Sequence, residues 1–259
     1  MSFSGKVVLI SGASSGIGAD AARNFARLGA KVSIFGRNEE RLNKVADEIK
    51  EMGCQVLPIV ADVTKDTERI VNETIKYFGN LDVLVNNAGF GIYDNVVDVN
   101  VADFDRVIDT NLRSVIILTK LCVPHLKKRM GNIVNVSSVA GLKPVQNSMS
   151  YSISKAALDQ FTKCSALDLA PLGIRVNAIN PGHVRTDFSR PYLGSVYSPE
   201  LAEHLYNEVA NGYPVGRVGE VSDTSNAIAF LANNETASFI NGALLLVDGG
   251  ISLVSKELD

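Results

Sequence analysis

Two side chains on one predicted helix have the types and the spacing needed for proton transfer. Tyr151 and Lys155 stand four residues apart in the stretch SMSYSISKAA, so on a helix they share a face, one turn apart. A free phenol has a pKa of about 10, and lowering it to near 7 requires about 4 kcal/mol. An ammonium about 4 Å away, at an effective dielectric of about 20, supplies roughly that stabilisation. An isolated Tyr-x-x-x-Lys motif is more often a tyrosine packed on the aliphatic stem of a lysine. Whether Tyr151 and Lys155 transfer a proton therefore depends on the rest of the chain.

A glycine-rich turn, SGASSGIG, follows the first predicted strand and precedes a predicted amphipathic helix. Such a turn lets the backbone approach a pyrophosphate and directs a helix N-terminus at it. Glycines also form turns for geometric reasons alone, but this position between a buried strand and a helix predicts a dinucleotide site. The turn residues expected to contact the cofactor are Gly12, Ser14, Ser15, Gly16, Ile17 and Gly18.

The ends of the second and third predicted strands indicate which dinucleotide is bound. An acidic residue after the second strand bonds the ribose 2′-hydroxyl of NAD, whereas an arginine accommodates the 2′-phosphate of NADP. In IFGRNEERL, Gly36 stands where the acidic residue is expected, and Arg37 and Asn38 follow. We therefore expect NADP(H) to be preferred over NAD(H); the alternative is a solvated Arg37 and an Asn38 that only caps the next helix. Asp62 and Val63 are placed to meet the adenine, although Asp62 equally suits helix capping.

These residues lie on regularly alternating elements. Short β-branched runs, apolar at nearly every position, are typical of strands buried on both faces of a parallel sheet. The predicted strands span 6–11, 31–35, 55–60, 81–86, 131–137, 173–179 and 243–247. The predicted helices span 16–29, 38–52, 66–78, 101–129, 150–170 and 222–232. Alternation without a linker predicts a single α/β domain over 1–259 with a doubly wound sheet.

The segment 184–218 departs from this alternation. It contains Pro191, Pro199 and Pro214, several tyrosines and a short helical patch near 199–210. It is too long for an ordinary connection, and long loops in compact domains are often lids or binding loops. We expect it to be a substrate loop; a structural excursion that merely packs on a neighbour is the alternative.

Composition excludes several other classes of protein. The chain has 259 residues, 46% hydrophobic and 20% charged, with a net charge of −3, so neither disorder nor a nucleic-acid surface is expected. No apolar run has the length of a membrane span or of a signal-peptide core. Three scattered cysteines without a CxxC pair suit a reducing compartment, and we expect a cytoplasmic protein. The histidines, His125, His183 and His204, have no metal-ligand or triad spacing, so no metal is expected.

Further motifs complete a recognisable set. These are Asn87-Ala88-Gly89 within NNAG, Asn111, V-S-S ending at Ser138, and P-G-H-V-R-T over 181–186. With the glycine-rich turn and the Tyr151–Lys155 pair, their order and spacing run essentially end to end. The sequence resembles the short-chain dehydrogenase/reductases. It departs from that family's pattern only mildly: Ser11 replaces the more usual Thr, and no basic residue precedes Gly16.

The resemblance implies a single-domain Rossmann fold with a seven-stranded parallel sheet flanked by helices and NAD(P) across its carboxyl edge. It implies Ser138, Tyr151, Lys155 and Asn111 as the catalytic residues, with Asn111 positioning water that links Lys155 to solvent. Ser138 would orient the substrate oxygen and stabilise charge developing on it. The implied cofactor contacts beyond the turn and the strand ends are Asn87, Ala88, Gly89, Tyr151, Lys155, Pro181, Gly182, Val184 and Thr186. Asn86 is expected to brace the central strands.

The resemblance also implies the reaction and its partners. The cofactor supplies a hydride and the protein a proton, interconverting a carbonyl and an alcohol on a small molecule. Aromatic residues of the substrate loop (Phe188, Tyr192, Tyr197, Tyr213) suggest a hydrophobic substrate, although they suit an interface or plain packing equally well. A 3-oxoacyl-carrier-protein reductase is the rival, and a non-catalytic NADP-binding regulator a remote one. An enoyl reductase is disfavoured because that branch spaces its Tyr and Lys more widely. A homotetramer built on the helices that start near 101 and 150 is expected.

Overall fold

All seven predicted strands are present and form one parallel sheet. A computed structural model of the chain describes residues 1–189 and 198–254. The strands are β1 Val7–Ser11, β2 Lys31–Gly36, β3 Val56–Val60, β4 Val83–Asn86, β5 Asn132–Val136, β6 Arg175–Pro181 and β7 Leu244–Val247. Their order is β3-β2-β1-β4-β5-β6-β7, and every neighbouring pair is parallel. Successive strands are added in one direction from β1 to β3 and in the opposite direction from β4 to β7, so the strand order reverses between β1 and β4 and opens a crevice at their carboxyl ends.

The predicted helices are present with bounds shifted by at most two residues, and one of them is divided. They are α1 Gly16–Arg27, α2 Glu39–Glu51, α3 Thr67–Phe78, α4 Val101–Ile108, α5 Ser114–Lys127, α6 Met149–Leu169, α7 Pro199–Ala210 and α8 Val221–Ala232. The segment predicted as helical over 101–129 is helical from Val101 to Lys127, but not as one α-helix. A π-helical turn, Asp109–Arg113, separates α4 from α5. Such single π turns frequently occur at functional sites.

Helices cover both faces of the sheet and enclose two cores. Because neighbouring strand residues point to opposite faces, Val8 and Ile10 of β1 pack with α1, α2 and α8. Val7 and Leu9 pack instead with α3, α5 and α6. The five inner strands are therefore buried on both faces, which explains their nearly continuous apolar runs, whereas the edge strands β3 and β7 are partly exposed.

Buried amides join the central strands across the sheet. The amide nitrogen of Asn86 donates to Oδ1 of Asn135 at 2.8 Å, and the amide nitrogen of Asn135 donates to Oγ1 of Thr162 in α6 at 2.8 Å. This placement agrees with the expectation that Asn86 braces the centre of the sheet. It also ties α6, which carries Tyr151 and Lys155, to two strands.

Among the helices of the described residues, none combines the length and the apolar character that a membrane crossing requires.

Candidate active site

A cleft of about 620 Å³ runs along the carboxyl ends of the strands. It is lined by nearly every predicted cofactor contact and by three of the four predicted catalytic residues. The predicted residues that line it are Gly12, Ser14, Ser15, Gly16, Ile17, Arg37, Asp62, Val63, Asn87, Ala88, Gly89, Ser138, Tyr151, Lys155, Pro181, Gly182, Val184 and Thr186. Gly18, Asn38 and Asn111 do not line it.

The glycine-rich turn leaves room for a phosphate group. Gly12 and Gly16 have left-handed φ angles of +66° and +54°, which side chains rarely tolerate. A Cβ on Gly12 would lie 2.9 Å from Cα of Ala88, and one on Gly16 would lie 3.2 Å from Cγ2 of Thr186. The first turn of α1 has no acidic residue, and the Ser15 side chain makes no capping hydrogen bond. The glycine-rich turn and the first N–H groups of α1, together called the phosphate cradle, therefore fit a pyrophosphate.

The Ser11 side chain joins the ends of β1 and β4. Its hydroxyl oxygen accepts hydrogen bonds from the backbone N–H groups of Asn87 at 2.8 Å and Ala88 at 2.9 Å. The Asn87 side chain in turn donates to the carbonyls of Ser11 at 2.9 Å and Gly12 at 3.2 Å. The ends of β1 and β4 are thus bonded to each other at the floor of the cleft.

Two of the predicted cofactor contacts have structural roles in this structure. Gly18 packs under the turn, where a Cβ would collide with the amide nitrogen of Asn87 and the carbonyl of Gly12. This corresponds to a glycine that permits close helix–strand packing. Asn38 caps α2, its side-chain oxygen accepting from the backbone N–H of Arg41 at 2.9 Å. Asn38 therefore caps α2, and neither residue lines the cleft.

The adenosine end of the cleft has a basic side chain and no acidic residue on β2. Gly36 is buried, and a Cβ there would lie 3.1 Å from Oγ of Ser14, which leaves little space for a carboxylate. Arg37 is exposed, and no hydrogen bond or ion pair to another residue of 1–189 or 198–254 engages its guanidinium. Burial opposes the charged form of Asp62, but hydrogen bonds from Thr64 and the charge of Arg37 outweigh it and lower its pKa.

The first turn of α6 is held by a carboxylate from a distant loop. Both oxygens of buried Asp94 accept from the backbone N–H of Ser150, at 3.1 and 3.3 Å, and Asp94 also accepts from the Ser150 hydroxyl. The Ser148 side chain at the N-cap makes no capping bond. Asp94 therefore replaces the missing cap and fixes the helix at the residue next to Tyr151.

Tyr151 and Lys155 meet as the spacing predicts. The Nζ of Lys155 lies 5.6 Å from the centroid of the Tyr151 ring and donates to the carbonyl of Val136, at the end of β5, at 2.7 Å. Tyr151 is half-buried, whereas Lys155 is buried. Burial lowers the pKa of Lys155 to about 8, opposed by the nearby Asp159 carboxylate. The lysine is therefore an internal cation beside the phenol.

Asn111 is buried in the π-helical turn and bonds the loop that follows β4. Its Oδ1 accepts from the backbone N–H of Phe90 at 3.0 Å, and its amide nitrogen donates to the carbonyl of Phe90 at 2.8 Å. The same nitrogen donates to Oγ of Ser154 at 3.0 Å. A Cβ on Gly89 would lie 3.1 Å from Oδ1 of Asn111 and 3.5 Å from Nζ of Lys155. Asn111 thus lies directly behind the lysine rather than at the cleft surface.

Ser138 lies just beyond β5 and faces the cleft. Its hydroxyl oxygen accepts from the backbone N–H of Ala140 at 3.1 Å, capping a short 3-10 turn. Its carbonyl accepts from the side chain of Asn180 at 3.0 Å. Within the described residues no hydrogen bond uses the Ser138 hydroxyl as a donor, so the proton is available to a molecule in the cleft.

Known proteins with this arrangement can now be compared with the chain. A family model described as enoyl-(acyl carrier protein) reductase matches residues 12–252. An uncharacterized oxidoreductase of Thermotoga maritima is 42% identical over 255 residues, which cover 98% of this chain and 100% of that protein. The chain belongs to the short-chain dehydrogenase/reductase family. It is an oxidoreductase of that family, whose members generally bind NAD(P)(H).

Two further family members are similar over nearly their whole length. A short-chain dehydrogenase/reductase of unknown function from Caenorhabditis elegans, solved with cofactor, superposes with a TM-score of 0.93 at 40% identity, covering 98% of this chain and 97% of that one. The 3-oxoacyl-[acyl-carrier-protein] reductase FabG of Thermotoga maritima is 35% identical, covering 97% of this chain and 99% of that protein.

The chain's PGHVRT segment is held by residues that the family motif does not include. The hydroxyl of Tyr206 in α7 donates to the carbonyl of Thr186 at 2.8 Å and accepts from its N–H at 3.2 Å. Arg185 stacks on the Tyr206 ring at 5.5 Å and pairs with Glu203 and, at 3.0 Å, with Glu220. Tyr206 lines the cleft. Nothing in the sequence signalled this contact, because it joins a motif to a helix 20 residues away.

Apolar side chains form part of the wall that is expected to face a substrate. Phe188 lines the cleft with Phe90 and Val145, and its ring centroid lies 5.4 Å from that of Tyr151. Tyr213 is buried and does not line the cleft, so its contribution to an apolar pocket was wrongly predicted. Tyr192 and Tyr197 lie outside the described residues.

One histidine faces the cleft although the sequence offered no partner for it. His183 lines the cleft, and the Tyr213 hydroxyl lies 3.0 Å from its Nδ1. The partner is 30 residues away, so no local spacing could have revealed it. No group of three or more His, Cys, Asp or Glu side chains suited to a metal occurs within 1–189 and 198–254.

Proposed function

We propose that this protein is an NADP(H)-dependent oxidoreductase that interconverts a carbonyl and a secondary or primary alcohol on a hydrophobic small molecule. The observation that carries the proposal is the placement of Tyr151 above a buried Lys155, in the same cleft as the phosphate cradle and Ser138. A glycine cradle alone would support binding only. The adjacent phenol and internal ammonium add a route for the proton that carbonyl reduction requires.

The proton route runs through Tyr151. When bound, the nicotinamide supplies the hydride that adds to the carbonyl carbon. The Tyr151 hydroxyl gives its proton to the carbonyl oxygen, and the Lys155 ammonium stabilises the phenolate left behind. The carbonyl of Val136 fixes the ammonium, since it accepts from Nζ at 2.7 Å. In the reverse direction the phenolate removes the alcohol proton.

Ser138 and Asn111 are proposed to support that transfer. Ser138 donates its free hydroxyl proton to the substrate oxygen, which orients the carbonyl and stabilises charge developing on it. Asn111 has used both amide hydrogens, on Phe90 and Ser154, but its Oδ1 has a second lone pair beyond the bond from Phe90. We propose that this lone pair accepts a bond from water that renews the proton of Lys155.

The remaining predicted contacts are proposed for the cofactor. Asp62 and Val63 bound the adenine, Asn87, Ala88 and Gly89 lie along the ribose, and Lys155 also bonds ribose hydroxyls. Val184 and Thr186 hold the carboxamide, shaped by Pro181 and Gly182. The segment 184–218 is proposed as the substrate loop of a single domain spanning 1–259.

We propose a preference for NADP(H) because the end of β2 has Gly36 in place of a carboxylate and is followed by the basic Arg37. Position 36 has no room for a carboxylate beside Ser14, and the guanidinium of Arg37 is exposed at the cleft. Arg37→Ala should raise the KM for NADPH about tenfold or more and leave the KM for NADH within about twofold, because a charge-assisted bond to phosphate contributes about 1.5–3 kcal/mol. Arg27→Ala, which removes an exposed arginine at the end of α1, is the control. Equal changes in the two KM values would remove the cofactor assignment.

Tyr151→Phe tests the reaction itself. The substitution keeps the ring on α6 and beside Phe188 but removes the proton, so turnover should fall by about 100-fold or more. NADPH binding, followed by its fluorescence, should persist. Tyr77→Phe, a hydroxyl removed from an exposed position of α3, is the control. Unimpaired turnover of Tyr151→Phe would overturn the mechanism.

Two alternatives remain distinguishable by the choice of substrate. A 3-oxoacyl-carrier-protein reductase uses the same chemistry, and the similarity to the FabG of Thermotoga maritima favours testing it. NADPH consumption with acyl thioesters, sterols and retinoid- or farnesal-like aldehydes separates that enzyme from a reductase of free hydrophobic carbonyls. A non-catalytic NADP-binding regulator predicts binding without any turnover.

The cellular setting is also a proposal. The three cysteines, Cys54, Cys122 and Cys164, are all free thiols, which suits the reducing cytoplasm. A homotetramer is proposed on the helices near 101 and 150, because Val101, Ile117 and Ile153 expose apolar side chains there.

A further inference from the structure

The His183 ring lies in the cleft wall and is held from behind by a buried tyrosine. The Tyr213 hydroxyl accepts from the backbone N–H of His183 at 2.7 Å and lies 3.0 Å from Nδ1 of the same residue. Tyr213 itself is fixed in a narrow slot. A Cβ on Gly182 would lie 2.7 Å from its hydroxyl oxygen, and one on Gly249 would lie 3.1 Å from its ring.

This geometry favours one tautomer of the His183 imidazole. The Tyr213 hydroxyl already accepts from a backbone N–H, and it has one hydrogen of its own to donate. Donation of that hydrogen to Nδ1 satisfies the buried hydroxyl and places the hydrogen of a neutral imidazole on Nε2. Burial lowers the pKa of the His183 imidazole, and burial also raises the pKa of the Tyr213 phenol. Both shifts favour the neutral pair.

The Nε2–H group is then a hydrogen-bond donor without a partner among residues 1–189 and 198–254. His183 lines the cleft together with Ser138 and Tyr151. The same cleft is lined by the apolar side chains of Phe90, Val145 and Phe188. A fixed donor in a partly apolar cleft provides orientation and selectivity more than affinity.

We propose that His183 is a substrate-binding residue whose Nε2–H donates to a second oxygen of the substrate, near the reacting carbonyl. The substrate class is therefore a small, mainly apolar carbonyl compound with an adjacent hydroxyl or carbonyl group. This inference rests on the proposed function and narrows its substrate. Tyr213 is a positioning residue, because it contacts the imidazole and not the cleft.

A matched pair of ketones tests the proposal. Cyclohexane-1,2-dione and cyclohexanone differ by one oxygen next to the reacting carbonyl. We expect wild-type kcat/KM, followed by NADPH consumption, to be at least about tenfold higher for the dione, because its second oxygen adds a hydrogen bond and also makes the reacting carbonyl more electrophilic. His183→Leu should lower kcat/KM for the dione about tenfold and leave cyclohexanone within about twofold. His183→Gln, which retains an N–H donor, should recover part of the loss.

Tyr213→Phe separates positioning from binding. It keeps the buried ring but frees Nδ1, so His183 can present either tautomer and the preference for the dione should fall severalfold while NADPH binding is unchanged. Equal losses on both ketones, or no loss on either, in His183→Leu would overturn the proposal. Failure of the wild-type enzyme to reduce the dione would overturn it too. Turnover of other carbonyls that depends on Tyr151 would still support the proposed function in that event.

Discussion

The two sides of the cleft are built in opposite ways. The inner wall, comprising the ends of β1, β4 and β5 with the π-helical turn and the first turns of α6, is held by buried hydrogen bonds. Asn111 and Lys155 are both buried there. The outer wall, residues 183–189 with α7, is held by half-exposed contacts. Arg185 pairs with exposed Glu203, and Asp187 pairs with Arg41 across the cleft at 2.9 Å.

The two walls are therefore proposed to have different roles: the inner wall holds the proton-transfer groups, and the outer wall selects the substrate. Disrupting buried, hydrogen-bonded polar groups has a large free-energy penalty, so the inner wall keeps the proton-transfer groups in one geometry. Exposed ion pairs contribute about 0–1 kcal/mol each, so the outer wall is held weakly and tolerates change. An enzyme that must position a proton donor closely and still admit a substrate benefits from this division. Substitutions on the two walls should therefore have effects of different size and kind.

The largest effect is expected at the centre of the inner wall. Asn111→Ala removes three hydrogen bonds and leaves the N–H and carbonyl of Phe90 without their partner. A buried polar group left unsatisfied destabilises by about 1–3 kcal/mol, so we expect the free energy of unfolding to fall by about 4 kcal/mol. Denaturant unfolding measures this. Asn72→Ala, at an exposed position of α3, is the control and should change stability by less than about 0.5 kcal/mol. A similarly small change for Asn111→Ala would contradict the comparison.

A somewhat smaller effect follows from the buried charge of Lys155. Its pKa is lowered to about 8 in the folded protein against 10.5 as the ordinary value. Below about pH 8 both folded and unfolded forms are protonated, so the destabilisation by the buried cation is fully present. Between about pH 8 and 10.5 the folded form loses the proton while the unfolded form keeps it, so stability rises with pH. The total gain is about 3 kcal/mol in cofactor-free protein.

Lys155→Met isolates the contribution of the Lys155 charge to stability. The variant lacks this one titrating group and keeps all the other ionisable side chains. The difference in unfolding free energy between wild type and Lys155→Met should change by about 3 kcal/mol across that pH range. Lys163→Met, at an exposed position of the same helix, should follow the wild-type curve. Parallel curves for wild type and Lys155→Met would show that the lysine is not an internal cation.

The same division explains what the sequence could predict. The five inner strands were predictable because burial on both faces requires continuous apolar runs. Gly12, Tyr151 and Lys155 were predictable because their partners lie within a few residues or at neighbouring strand ends. Prediction failed at the π-helical turn, since one extra residue in a helical turn leaves no mark on hydrophobic periodicity.

Contacts between distant residues were the other failure. Asp94 caps α6 from 56 residues away in the chain, and Tyr213 bonds His183 from 30 residues away. Tyr213 is an aromatic residue of the type that lines apolar pockets. Only its position in the fold shows that its hydroxyl bonds His183. The outer wall depends most on such contacts, which is why substrate selectivity was the least predictable property of the chain.

The smallest effect is expected on the outer wall, at Tyr206. Tyr206→Phe keeps the ring under Arg185 but removes the hydroxyl that bonds both backbone groups of Thr186. Both groups lie near solvent, so stability should fall by no more than about 1 kcal/mol. Because Thr186 is proposed to hold the nicotinamide carboxamide, the KM for NADPH should rise about fivefold while kcat changes less than about twofold. Glu203→Gln, which weakens only an exposed ion pair to Arg185, should leave both constants nearly unchanged. A loss of kcat in Tyr206→Phe as large as that expected for Tyr151→Phe would mean that the outer wall takes part in the proton transfer and would abolish the distinction between the walls.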